Sequence, residues 1–174
     1  MGSESSLPRG DQLSEEAFWN KENGEIQILG KRHTAIDAQS LCNFLDSIVG
    51  TQVGEVIMHS LEFRLGKLDA ARLKDERPNA TLEECVEQLA KSDRLSGIGI
   101  TRVTLAGNSQ DSIRIEVTNP SVKSSAGAGK SFIFSWWAGA LSSLLGNNFE
   151  VNGVVYSEEK NVIECRIVPR RYES

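Results

Sequence analysis

Apolar positions follow two different rhythms along this 174-residue chain. Up to about residue 97 they mostly recur at helical spacing, and from residue 98 they alternate. Ahead of the helical stretch, Ile26 and Ile28 alternate with polar neighbours and predict a short strand, or a hairpin turning at Gly30. Ile36, Leu41, Phe44, Leu45 and Ile48 predict an amphipathic helix over 35–49, with Gly50 as its stop. Thr51 is placed to cap a second helix running to about Leu73, with Val53, Ile57, Leu61, Leu65 and Leu68 on one side. The charged run 74–77 reads as a solvated loop, and Pro78 ends it. Thr81 and Glu84 form a capping box for a third helix, whose stripe is Leu82, Cys85, Val86 and Leu89. Gly97 and Gly99 close that helix.

The period then changes. Ile98, Ile100, Val103 and Leu105 lead through a turn at 107–111 into Ile113, Ile115 and Val117, an antiparallel hairpin buried on one face. After Asn119-Pro120 and a small-residue loop, the stretch Ser131–Leu145 carries no charge. It falls short of the ~20 apolar residues that a spanning helix needs, so it reads as a buried helix and no transmembrane segment is expected. A last hairpin pairs 149–157 with 162–168, and Ile163, Cys165 and Ile167 share its inner face. Helices in one stretch and antiparallel hairpins in another predict an α+β fold, with helices packed on an antiparallel sheet. Residues 1–19 read as a flexible tail and 20–174 as a single domain.

Composition narrows the function. Charged residues make up 25% and hydrophobic residues 39%, as in ordinary globular proteins. A net charge of −5 lacks the basic footprint of a nucleic-acid binder, so no nucleic-acid partner is expected. Cys42, Cys85 and Cys165 form no CxxC, and no secretory leader pattern opens the chain, so the expected compartment is the reducing cytoplasm. Gly129-Lys130-Ser131 invites a phosphate-loop reading, but Ser124 stands where that pattern needs a glycine. Gly127-Ala128-Gly129 begins a dinucleotide fingerprint, but Phe132 occupies its last glycine position. Glu55, His59 and Glu62 share a helical face opposite the apolar stripe, which reads as solvated surface and not as a metal site. With two histidines and no GxSxG, no catalytic residue, cofactor or metal is expected, and the chain is not read as an enzyme.

The late helix is the most informative segment. Ile133, Phe134, Trp137, Leu141, Leu144 and Leu145 make one wide apolar stripe, while Phe132 and Trp136 lie on another flank. Ser135, Gly139 and Ser143 supply a small-residue line that permits close backbone approach. A helix apolar nearly all round must be covered on most sides, as core, subunit interface or pocket wall.

The segment Phe132–Gly146, with its GALSSLLG run, followed by the hairpin over 151–168, resembles the 4-vinyl reductase domain. The front segment 24–32 (GEIQILGKR) resembles that family's opening hairpin, and Glu55 to Leu68, with Gly66, its second helix. The resemblance covers about residues 20–170. It implies the α+β fold shared with the small subunits of TRAPP tethering complexes and with haem-binding NO sensors, the NO-signalling and Golgi-transport ligand-binding fold. It also implies an apolar pocket for a hydrocarbon-like or acyl ligand, and homodimers formed largely by helices. The family often carries two cysteines eight residues apart in the last hairpin. Here Cys165 matches the second, Ser157 replaces the first and Asn161 replaces the intervening glycine, so no metal is expected. The haem-sensor clamp is missing and His59 is placed on a wet face, so haem is not expected. Cys42 sits on a helix able to present a thiol for acylation of the TRAPP type.

The resulting expectation is a cytoplasmic small-molecule-binding module, a sensor or carrier acting as a homodimer. Its apolar pocket would be lined by Phe44, Met58, Phe63, Phe134, Trp136 and Trp137. The alternative is a non-catalytic assembly or tethering subunit with a protein partner, using Trp136 and Phe132 as interface. A third reading is an accessory subunit of a tetrapyrrole reductase.

Overall fold

The computed structural model describes residues 17–20, 25–28, 31–33, 36–105 and 112–170. The chain divides into two units, Met1–Ile36 and Asp37–Ser174. In the first unit, β1 (Ala17–Asn20), β2 (Glu25–Ile28) and β3 (Lys31–His33) form an antiparallel sheet in that order. The β2–β3 pairing sets Ile26 opposite His33; Gly30, where a turn was expected, lies outside the described residues. Residues 17–19 belong to β1, and these three strands are the part of the first unit that the structure describes. Residues 1–16 of the expected tail lie outside the described residues.

The second unit runs α1 (Ala38–Val49), α2 (Thr51–Glu76), α3 (Leu82–Leu95), β4 (Ile100–Leu105), β5 (Ile113–Thr118), α4 (Gly127–Phe132), α5 (Phe134–Leu145), β6 (Phe149–Ser157) and β7 (Val162–Pro169). Its sheet is antiparallel with strand order β4-β5-β7-β6. The fold is α+β. Local chemistry sets most boundaries. Asp37 caps α1 by accepting the Ser40 N–H. Thr81 and Glu84 make both bonds of the capping box on α3, at 3.2 and 2.7 Å. Thr51 does not cap α2; Gly50 is the capping residue, with no side-chain bond, and Thr51 lies inside the first turn.

The single late helix expected over 131–145 is two helices that meet at Ile133. The helical stretch begins four residues earlier, at Gly127, and the Asp46 carboxylate accepts the Ala128 N–H at 2.9 Å. Gly127 has φ +57°, and a Cβ there would land on that carboxylate, as would one at Gly54. One side chain from α1 thus fixes the starts of both α2 and α4, and only glycine leaves it room.

The core lies between the sheet and α5. Phe134, Trp137 and Leu141 are fully buried with Ile113, Ile115, Val117, Ile163, Cys165 and Ile167. Each such side chain contributes ~1.5–3 kcal/mol by leaving water. From α3, Cys85, Leu89 and Asp93 join the same cluster. The Asp93 carboxylate accepts Trp137 Nε1–H at 2.8 Å and the Thr101 hydroxyl at 2.7 Å. Burial pushes its carboxyl up to about 6, against the lowering effect of those two bonds. On its far side α5 packs against α2 through two glycines. A Cβ at Gly66 would meet the Trp136 carbonyl, and one at Gly139 the Phe63 carbonyl. The small-residue line read from the sequence therefore marks a backbone-to-backbone crossing.

The orientation of α1 and α2 reverses the expected one. Phe44 and Ile48 on α1 are 63% exposed, and on α2 Val53, Ile57, Leu61, Leu65 and Leu68 are exposed as well. Most of the apolar stripe read on each helix faces outward, although Leu45 packs inward. What α1 and α2 bury instead is a smaller set: Cys42 and Met58, in a satellite cluster with Val122 and Ala128, and Gly66, Ala70 and Leu73.

Candidate functional site

Turning α2 around puts its polar face to work. Glu55, His59 and Phe63 lie one turn apart and face the junction of α4 and α5, where the sequence reading had Glu55 and His59 facing solvent. Together with β6 they border a half-open cleft of about 610 Å³. Such a volume lies within the range of small-molecule sites. Its walls mix two chemistries. Val56, Phe63, Phe149 and Val151 supply apolar surface, while Glu55, His59, Arg64, Lys130, Ser135 and Arg170 supply charge and hydrogen bonds.

Two cross-helix bonds hold the base of the cleft. Lys130 Nζ donates to Glu55 Oε1 at 2.6 Å, tying α4 to α2. His59 Nδ1 and Ser135 Oγ share a hydrogen bond of 2.9 Å, tying α5 to α2. Burial holds the His59 imidazole below its ordinary pKa and the Arg170 charge pushes the same way, while Glu55 opposes them more weakly. Both effects favour the neutral imidazole. A neutral imidazole and a hydroxyl that share one hydrogen bond keep one further N–H or O–H between them, whichever of the two donates.

Of the six residues assigned to the pocket, only Phe63 lines this cleft. Phe134 and Trp137 are fully buried core side chains. Met58 is buried in the satellite cluster, and Phe44 is on the outer face of α1. Trp136 is half-buried; its Nε1–H bonds Asp69 on α2 at 3.2 Å and its ring meets Trp137 edge-on. The reading from sequence missed Lys130, Ser135 and Arg170. For Ser135 the signal was present, since the small-residue line on the late helix had to meet another helix.

Burial holds two of the three thiols protonated. Cys42 is buried, and desolvation with help from Asp46 and Glu62 pushes it up to about 11. A thiol so protonated is a poor nucleophile for acylation. Burial likewise raises Cys165. All three cysteines are free, and among the described residues no three His, Cys, Asp or Glu side chains converge on a metal site. No helix among the described residues is long and apolar enough to cross a membrane.

Helices layered on an antiparallel sheet, with a mixed cleft at the helix junction, define an α+β module with a small-molecule-sized site. The chain is similar in structure to the phenol-responsive sensory domain of the transcription activator PoxR, solved with phenol: TM-score 0.68 at 13% identity, over 90% of this chain and 86% of that one. It also matches a trafficking protein particle complex subunit 3 from Naegleria fowleri covalently bound to palmitic acid, with TM-score 0.45 and 16% identity over 77% and 95% of the two chains. A vinyl-4-reductase family protein from Methanocaldococcus jannaschii matches with TM-score 0.43 and 17% identity, over 80% and 100%. The likeness to the sensory domain carries the fold. No family profile and no curated protein matches the sequence.

Proposed function

We propose that the chain is a non-catalytic small-molecule-binding module, a sensor or carrier, that works as a homodimer. The observation that carries this reading is the reversed α2. Its polar face borders a cleft of ligand size, and its apolar face is left to a partner. The ligand's hydrocarbon-like or acyl body lies against Phe63, Phe149, Val56 and Val151. The partner covers Phe44, Ile48, Ile57, Leu61 and Leu68, since monomers rarely leave so continuous an apolar surface in water. Fold likeness to a phenol-responsive sensory domain supports the ligand reading. Three unpaired cysteines support a reducing cytoplasmic location.

Native mass spectrometry of the purified protein, before and after organic extraction, tests both halves. The expected spectrum is a dimer carrying an extractable apolar adduct. A monomer removes the dimer, and a bare dimer moves the weight to the second reading, an assembly or tethering subunit, which the same outer face favours. Leu61→Glu places a charge in the middle of that face, at a position 51% exposed in the single chain. It should yield a folded monomer by light scattering, with the thermal midpoint lowered only by the loss of assembly. A dimer that survives Leu61→Glu locates the interface elsewhere.

A further inference from the structure

Resting on that reading of the cleft, the structure assigns it a ligand class: we propose that it receives an anionic head group, a carboxylate or phosphate monoester, carried on an apolar body.

The charge distribution is the first support. The chain as a whole carries a net charge of −5, yet Arg64, Lys130 and Arg170 border the cleft against Glu55 and Glu150. These cations come from α2, α4 and the residue that follows β7, so the fold collects them from distant parts of the sequence. Lys130 and Glu55 answer one another at 2.6 Å. Over the whole lining, three cationic side chains stand against two carboxylates. The local field agrees, because at His59 the influence of Arg170 exceeds the opposing influence of Glu55. Burial there disfavours any charge, but the Arg170 contribution is one that an anion would gain from.

The hydrogen-bonding groups are the second support. The His59–Ser135 pair retains one donor hydrogen, and its place beside Arg170 in the lining suits an oxyanion. The apolar patch of Phe63, Phe149, Val56 and Val151 shares the same cleft, so a ligand that satisfies both walls is amphiphilic.

Isothermal titration with decanoate, decyl phosphate, decanol and decyltrimethylammonium, each below its micellar concentration, tests the assignment. The two anions should bind, with decanol weaker by roughly tenfold or more and the ammonium weakest, as loss of a charge-assisted contact implies. The ratio of decanoate to decyl phosphate affinity identifies which head group the site prefers. Arg64→Gln and Arg170→Gln should each weaken the anions by roughly tenfold while leaving decanol unchanged. Thermal melts confirm that both variants are folded. Equal binding of decanol, the ammonium and decanoate overturns the anionic head and leaves the small-molecule site standing. Anion binding that ignores both arginine substitutions places the ligand elsewhere and also overturns it. Failure of all four probes overturns this assignment and the ligand reading together.

Discussion

Gly139→Ala and Gly66→Ala should each lower the stability of the protein by about 3 kcal/mol or more, at the upper end of what overpacking costs. At each site the added methyl meets main chain. From Gly66 it would overlap the Trp136 carbonyl oxygen, 2.8 Å from the carbonyl carbon and 3.0 Å from the Ala140 nitrogen. From Gly139 it would overlap the Phe63 carbonyl oxygen, 2.8 Å from that carbonyl carbon. No rotamer relieves a clash with main chain, so α2 and α5 must separate, and α5 holds Phe134, Trp137 and Leu141 in the core. The opposing gain in helix propensity is only ~1 kcal/mol. For a chain of this size, a loss of about 3 kcal/mol lowers the thermal midpoint by roughly 6–12 °C. The two substitutions strike the same crossing from opposite sides. Once one has pushed the helices apart the other finds room, so the double variant should cost clearly less than the sum of the singles. Unchanged melting of either single variant would show that the helices do not touch as described.

The sheet and most helix boundaries were legible in the sequence because they rest on local chemistry. The capping box of Thr81 and Glu84 and the alternation of Ile163, Cys165 and Ile167 are complete within a few residues, and both appear as read. The orientation of α1 and α2 was not legible, because amphipathicity shows which face is apolar but not what covers it. In the single chain, α2 turns Gly66, Ala70 and His59 inward and sends Ile57, Leu61 and Leu68 outward. The requirement that decided this was close backbone approach at Gly66 and Gly139, which outranked burial of the larger stripe. The same inversion places five of the six residues expected at the pocket away from this cleft. Phe134 and Trp137 are apolar enough to suit a pocket, but they fill the space beside the sheet themselves. The residues that border the open volume are polar and scattered, at 55, 59, 130, 135 and 170, and only the folded chain brings them together.

Asp93→Asn should stabilise the protein at pH 8 and leave it unchanged at pH 4. In the folded chain the Asp93 carboxyl titrates at about 6, raised from 3.8 by burial. Between those two values the folded state holds more of the proton than the unfolded state does, so stability falls as pH rises through this window and levels off above it. At ~1.36 kcal/mol per unit, the shift amounts to about 3 kcal/mol of stability absent at pH 8. The asparagine amide oxygen can still accept from Trp137 Nε1–H and the Thr101 hydroxyl, and it carries no charge to desolvate. The expected gain at pH 8 is therefore about 1–3 kcal/mol, read from urea unfolding as a higher midpoint with an unchanged slope. Glu62, pushed up to about 7 by burial and by Asp69, adds a decline of the same sign that extends toward neutrality. Taking the difference between variant and parent cancels that contribution and isolates Asp93. Asp93→Leu supplies the contrast. It removes the same charge but strands the buried indole N–H, which costs about 1–3 kcal/mol at every pH. An asparagine variant no more stable than the parent at pH 8 would mean that the carboxylate is compensated in the core, and the window between pH 4 and pH 6 would then belong to other groups.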